Sequence, residues 1–390
     1  MLQEITLTKR GRPRQAGTID PDSDKFIKET RLAAERNLFF FNQVFMGGNI
    51  MQPTPHGEFC SFLQDPMHKR KGLLAPRNHL KTTISKSLPL HLLIQPNHAN
   101  IYFPDRMGSL SHTEGRSTRI LFASKAVGLS QEKLLWIRTW TEQNRYLRAF
   151  WPHCFWEDPR RQSTTWNNDA LLFPRRDFFD QATIMTVGVG GVVTGKHFNA
   201  HIHDDLIDEQ DRYSAATMDR AYNWFLSSRS LFDGIDTAQE FILGTHWANN
   251  DIYVRMKDHG LGIFWRTYSA EIIDSHGIKR ALWPEHISLE VLERHKLDLE
   301  AAGKGDLYAL NYLNDPTHSS IVDFDISDIR TFHFEGSNLI YDDDDRDAAL
   351  HHAYAAHESN THDQWRGSRL NNETLSHFPN LRDMYLTAKD

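Results

Sequence analysis

Three short segments, far apart in the chain, hold the residue types that nucleotide chemistry needs. The first is Ala75-Pro76-Arg77-Asn78-His79-Leu80-Lys81-Thr82-Thr83. A phosphate-binding loop requires a strand end, a tight turn whose backbone N–H groups face phosphate oxygens, a lysine for the β- and γ-phosphates, and a hydroxyl for magnesium where the next helix begins. Lys81 and Thr82 occupy the lysine and hydroxyl positions of the spacing G-x-x-x-x-G-K-[ST], with Ala75 and Leu80 where its glycines belong. By pattern alone the segment reads equally well as an ordinary helix start. The second is Asp204-Asp205, closing a strand-like run. Its first carboxylate can hold magnesium through water, and its second can orient or deprotonate an attacking water, with Glu209 as the alternative catalytic carboxylate. Asp204, Asp205, Asp208 and Glu209 would also make a solvated acidic turn. The third is Leu243-Gly244-Thr245-His246-Trp247, where Thr245 could sense a γ-phosphate; a buried strand followed by a turn explains the same residues.

These segments need elements to hold them. Gly72 to Ala75 reads as a short strand, and from Lys81 a helical pattern with Ile84, Leu88 and Leu92 follows, kinked or ended by Pro89,. Further strands are expected at 119–124, 170–173, 183–189, 198–203, 241–244 and 263–268. Helices are expected at 22–46, with Phe39, Phe40, Phe41 and Phe45 on its apolar face, at 130–150 and at 215–232,. Strand and helix alternate, which predicts an α/β domain with a largely parallel central sheet flanked by helices. Residues 97–118 read as an extended insertion or surface loop,.

The whole chain sets outer bounds. Its 390 residues, 39% hydrophobic and 24% charged, describe a globular protein with ample core,. The net charge of -7, from 44 basic and 51 acidic residues, argues against a protein that coats nucleic acid over its whole surface,. Cys60 and Cys154 cannot make a disulfide framework and read as buried apolar groups,. No apolar run nears the roughly 20 residues that span a bilayer, and no signal-peptide core is evident, so a cytoplasmic location is expected. Residues 1–22 read as a flexible arm in which Lys9-Arg10-Gly11-Arg12-Pro13-Arg14 resembles a minor-groove AT-hook, or is simply a solvated tail,.

Taken together, the ordered segments resemble the large terminase subunit, the DNA-packaging motor of tailed bacteriophages, from about Leu38 to Pro316. The matching phrases are Pro76-Arg77-Asn78-His79-Leu80-Lys81-Thr82-Thr83, the run from Gly195 to Leu206, and Gly244-Thr245-His246-Trp247. Flanking agreement comes at 120–124, 144–148, 281–285 and 312–316. The resemblance implies an ASCE-type P-loop ATPase with ATP and Mg2+ as ligands. It implies that residues 76–83 cradle phosphate, Arg77 switches contacts with nucleotide state, Thr82 and Asp204 hold the metal, Asp205 is the catalytic carboxylate, and Thr245 couples hydrolysis to movement. It also implies double-stranded DNA, a portal protein, a small terminase subunit and further copies in a ring of five as partners, and work in the host cytoplasm docked on a procapsid.

On this reading residues 23–322 are the motor domain and 323–390 a peripheral tail or the start of an incomplete nuclease domain. Its acidic run Asp342 to Asp345 and its His351, His352 and His357 read as solvated surface rather than metal ligands. Arg145, Arg148 and Arg175 are candidates for an arginine acting in a neighbouring subunit. Two competing readings are a P-loop helicase or DNA-remodelling ATPase, and a non-catalytic DNA-binding assembly protein that kept the fold.

Overall fold

Four strands bury almost every side chain and form the middle of one sheet. They are β1 (Arg70–Leu74), β2 (Ile120–Ser124), β5 (Ala200–Asp204) and β6 (Gln239–Gly244). With β3 (Ala170–Leu171), β4 (Ile184–Gly188) and β7 (Phe264–Thr267) they make a seven-stranded sheet in the order β3-β4-β2-β5-β6-β1-β7. Every neighbouring pair is parallel except β3 with β4. The computed structural model describes residues 25–95, 118–175, 179–192, 195–318, 332–335 and 338–341. The expected insertion at 97–118, the basic arm, the acidic run and the three late histidines lie outside the described residues, apart from Thr118.

The chain divides into two units, one ending at Ser319 and the other beginning at Ser320. In the second, β8 (Phe332–Glu335) and β9 (Asn338–Tyr341) pair antiparallel.

Side chains alternate along each buried strand, so the sheet has two apolar faces. Leu73, Phe122, Ile202, Phe241 and Leu243 enter one core with α1 (Lys25–Arg36), α2 (Leu38–Phe45), α3 (Glu58–Leu63), α4 (Lys81–Ile94), α5 (Val127–Gln143) and α6 (Arg145–Phe150). Leu74, Leu121, Ala123 and Ile242 enter the other, with α7 (Ala215–Ser228) and α8 (Ile252–Asp258). Helices thus cover both faces, as a parallel sheet requires. The aromatic face expected around Phe41 and Phe45 is buried against His91 and Trp151, at ring distances of 5.4 and 4.9 Å. Cys60 and Cys154 are both buried, and neither is in a disulfide among the described residues.

The structure corrects three expected helix boundaries. The helix expected over 22–46 breaks at Asn37, whose side-chain oxygen accepts the Phe40 N–H at 3.0 Å and starts α2 afresh. The helix expected over 130–150 begins earlier and breaks at Asn144, which caps α6 in the same way through Tyr146 and Leu147. Asparagine caps compete with continuation because the side chain serves N–H groups that a new helix would leave unpaired. Pro89 does not end α4, which runs on to Ile94; that stretch is wholly buried, and packing outweighs the lost backbone donor,. Among the described residues no helix is long and apolar enough to cross a membrane.

Candidate functional site

Because β1, β5 and β6 are parallel neighbours, their C-terminal ends deliver three loops to one edge of the sheet. Register sets Leu74 beside Gly244 and Leu243 beside Asp204. The small residue at 244 is required: a Cβ there would fall 2.3 Å from Cζ of the buried Tyr253 ring. Beyond β1, Ala75 donates its N–H to Gly244 O at 3.2 Å and stays fully buried, so the position of the missing first glycine is met by the next smallest side chain. The chain then turns sharply. Arg77 donates its N–H to Asn311 O at 3.0 Å, and Asn78 and Leu80 adopt φ of 64° and 56°.

That left-handed backbone is what a glycine supplies cheaply. Asparagine tolerates it, but for leucine it costs about 1–2 kcal/mol. Leu80 remains there with its side chain against the core shared with α4. Strain of this kind persists where the surroundings over-determine it, often at functional sites. Leu80 also leaves α4 without a side-chain cap, so the first N–H groups of the helix face the cleft unserved by an intrahelical partner.

Lys81, Asp205 and Thr245 meet beside this turn. Lys81 Nζ donates to Asp205 Oδ1 at 2.7 Å and to Thr245 Oγ1 at 2.7 Å. Thr245 passes its own proton to Ala75 O at 3.2 Å, tying the loop to β6. Asp205 reaches the cleft because its backbone is left-handed, with φ of 54°, while its N–H still bonds Leu243 O at 3.0 Å.

Asp204 goes the other way. Strand alternation turns it with Ile202 toward α4, where its carboxylate is fully buried. Ser85 Oγ donates to its Oδ2 at 2.6 Å and Lys133 Nζ stands 2.8 Å from the same oxygen. Lys133 is further fixed by Ser124 Oγ at 2.9 Å and the Asp204 carbonyl at 3.0 Å. Oδ1 of Asp204 is buried with no hydrogen-bond partner among the described residues. The neighbouring carboxylates therefore have different tasks, and Asp204 is not among the residues lining the cleft.

The cleft has a volume of about 580 Å³ and is lined by residues 76–83, Asp205 and Thr245. Sequence reasoning missed several of its other walls, namely Lys125, Leu129, Ile207 and His286, and gave no cleft role to Asp208 or Trp247. Lys125 follows directly on the buried strand β2, a signal that could have found it. Burial opposes its charge, but hydrogen bonds from Lys125 to Asp208 and Asp211 outweigh this and raise its pKa above that of an ordinary lysine. The Arg77 guanidinium lies 4.9 Å from the Trp247 ring centroid, an exposed cation resting on an aromatic surface,. His79 is buried and donates from Nδ1 to Arg77 O at 2.8 Å; burial lowers its pKa.

Other expected residues lie elsewhere. Glu209 pairs with Lys304 at 3.1 Å and does not line the cleft. Arg148 donates to the carbonyls of Thr141 and Glu142, and Arg175 to those of Phe179 and Gln181. Arg145 is exposed beside Tyr146. Thr82 and Thr83 stand half-buried at the cleft in the first turn of α4.

No protein-family model matches this chain. No curated protein matches it either.

Proposed function

We propose that this protein is a P-loop ATPase of the ASCE type, and that it acts as the motor subunit that moves double-stranded viral DNA into a procapsid. The observation that carries the ATPase reading is the meeting of Lys81, Asp205 and Thr245 beside an uncapped helix N-terminus, each delivered by a different parallel strand. Further support comes from the strand order, in which β6 stands between the loop strand β1 and the carboxylate strand β5. A cleft of about 580 Å³ suits a nucleotide, since small-molecule sites generally fall between about 300 and 1,000 Å³,.

The residues divide the work as follows. Backbone N–H groups of 80–83 and the Lys81 ammonium bind phosphate oxygens, for which the helix N-terminus is already polarised. Lys81 must leave Asp205 to do so, and this frees the Asp205 carboxylate to accept a proton from a water that attacks the terminal phosphorus. Thr245, held to Ala75, registers the change at the end of β6. Magnesium, when bound, would supply charge neutralisation on the phosphates; Thr82 lines the cleft and would hold it directly, while Asp204, turned to the helix side, would reach it only through water,. Arg77, resting on Trp247, is free to change contacts with the nucleotide.

The packaging role rests on the resemblance of the loop, carboxylate and coupling segments to large terminase subunits. With it come the portal, the small subunit, a ring of like chains and a host-cytoplasmic setting as proposed partners and place. The test is DNA-stimulated ATP hydrolysis by the full chain. Wild-type protein hydrolyses ATP faster when duplex DNA is added and Lys81→Ala does not. A wild-type rate no greater than that of Lys81→Ala would leave a DNA-binding assembly protein instead, and strand displacement would indicate a helicase.

A further inference from the structure

The central strand β5 carries a pattern that the cleft does not use. A strand buried on both faces of a parallel sheet is normally an unbroken apolar run. β5 instead reads Ala200-His201-Ile202-His203-Asp204, with every residue buried. Ala200 and Ile202 join the core under α4, so the alternation turns both imidazoles to the opposite face,. There the register sets His201 beside Glu240 of β6, itself fully buried. One donor atom from each of the three lies within 4.8 Å of the others, and His203 Nε2 stands 3.5 Å from Glu240 Oε1. The surroundings are aromatic: Phe232 lies 4.3 Å from His201 and Phe225 lies 5.2 Å from His203, between ring centroids.

Among the described residues none of the four buried ring nitrogens of these two histidines has a hydrogen-bond partner of good geometry, His203 Nε2 having only the Glu240 carboxylate at 3.5 Å. The main chain of Leu231 approaches His201 but not in hydrogen-bonding geometry. Native chains seldom leave one such atom unserved, let alone four on one face. We propose that His201, His203 and Glu240 form a site for a divalent transition metal of the zinc class, with a water completing the tetrahedron as the fourth ligand. Two imidazoles and one carboxylate are a zinc donor set, and tetrahedral bonds of about 2.0–2.1 Å put donors about 3.3 Å apart, close to the spacing His203 and Glu240 already have. Magnesium is excluded from this place because it takes oxygen donors and keeps its waters. None of the three residues lines the cleft, so the site braces the sheet rather than joining the chemistry there.

Arg229 shapes the affinity. Its Nε and Nη2 donate to the two Glu240 oxygens at 3.2 and 2.6 Å, and its side chain keeps 16% exposure. Guanidinium and metal are like charges drawn to one carboxylate, so the metal enters as Arg229 turns outward.

The experiment is titration of the chelator-treated full chain with Co2+, followed by displacement with Zn2+. The expected result is one equivalent of cobalt with the intense visible bands of a tetrahedral site, bleached by one equivalent of zinc. His203→Leu abolishes these bands. Arg229→Gln tightens binding by roughly tenfold or more, the size of a like-charge effect at this range. Only the weak bands of six-coordinate cobalt, bands unchanged in His203→Leu, or weaker binding in Arg229→Gln would each overturn the proposal. If His203→Leu does not fold, the band intensity of the wild-type protein and the direction of the Arg229→Gln shift still decide it.

Discussion

Replacing Lys133 with methionine tests the division of labour between the two adjacent carboxylates. The perturbation keeps most of the side-chain stem and removes the ammonium that stands 2.8 Å from Asp204 Oδ2. Asp204 is wholly buried, and only Ser85 then remains to serve its carboxylate. Breaking a buried pair by deleting one partner typically costs about 3–5 kcal/mol, because the surviving charge is left uncompensated. Asp204→Asn removes the other charge and strands Lys133 in turn, at an expected cost of about 2–4 kcal/mol since the lysine keeps Ser124 and some access to water,. The double variant buries neither charge, so its cost should fall below the sum of the singles by about 2 kcal/mol or more. Equilibrium urea unfolding of the nucleotide-free protein measures all four corners of this cycle. Single costs under about 1 kcal/mol that add to within about 0.5 kcal/mol would refute the buried ion pair, and with it the assignment of Asp204 to the helix side of the sheet.

Further outcomes follow from the same geometry. Gly244→Ala sets a methyl 2.3 Å from the Tyr253 ring and should cost about 1–3 kcal/mol by overpacking; a thermal melt shows it, and Tyr253→Leu in the same chain should recover part of the loss. Asp205→Asn should lower the ATP hydrolysis rate by about 10²–10⁴-fold, the usual worth of a positioned general base, while ATP still binds; a rate within threefold of wild type would remove Asp205 from the chemistry. Lys71 is fully buried on β1, and burial pulls its pKa down to about 7. Between about pH 7 and the ordinary lysine value near 10.4 the unfolded chain holds a proton that the folded chain has released, so this residue makes stability rise with pH. Unfolding measured at pH 7 and pH 9 should therefore show a gain in wild-type protein that Lys71→Met lacks. His56 accepts the Gln52 N–H on Nδ1 at 3.0 Å, and burial, aided by His79, holds its pKa at about 4. The folded state resists protonation there, so stability falls as pH drops from 6.5 toward 4, and His56→Gln should flatten that slope in acid unfolding.

The central strands were legible because burial on both faces leaves short apolar runs such as 120–124 and 241–244, which carry their own signal. The three segments that meet at Lys81, Asp205 and Thr245 were legible as segments, since each ends a strand with a polar residue. Which carboxylate faces the cleft was not. That depends on strand alternation sending Asp204 to the helix side and on a left-handed backbone at Asp205, and an Asp-Asp pair does not announce a positive φ. Lys133 and Ser85 escaped notice because their contacts to Asp204 span 71 and 119 residues and leave no local pattern. The breaks at Asn37 and Asn144 were missed because apolar periodicity continues across them, while the side-chain caps that decide the matter act within three residues. The loop without glycines is the opposite lesson: Leu80 takes a backbone that its identity argues against.

The central claim is that the cleft at residues 76–83 binds ATP through Lys81, and calorimetric titration of magnesium-ATP into the full chain tests it most directly. The account predicts one binding event per chain, weakened about 10- to 100-fold in Lys81→Ala, the worth of a charge-assisted hydrogen bond of about 1.5–3 kcal/mol. It predicts undiminished affinity in Asp205→Asn, where the lysine no longer has to leave a carboxylate. No heat of binding to the wild-type chain, or equal affinities for wild type and Lys81→Ala, would contradict it.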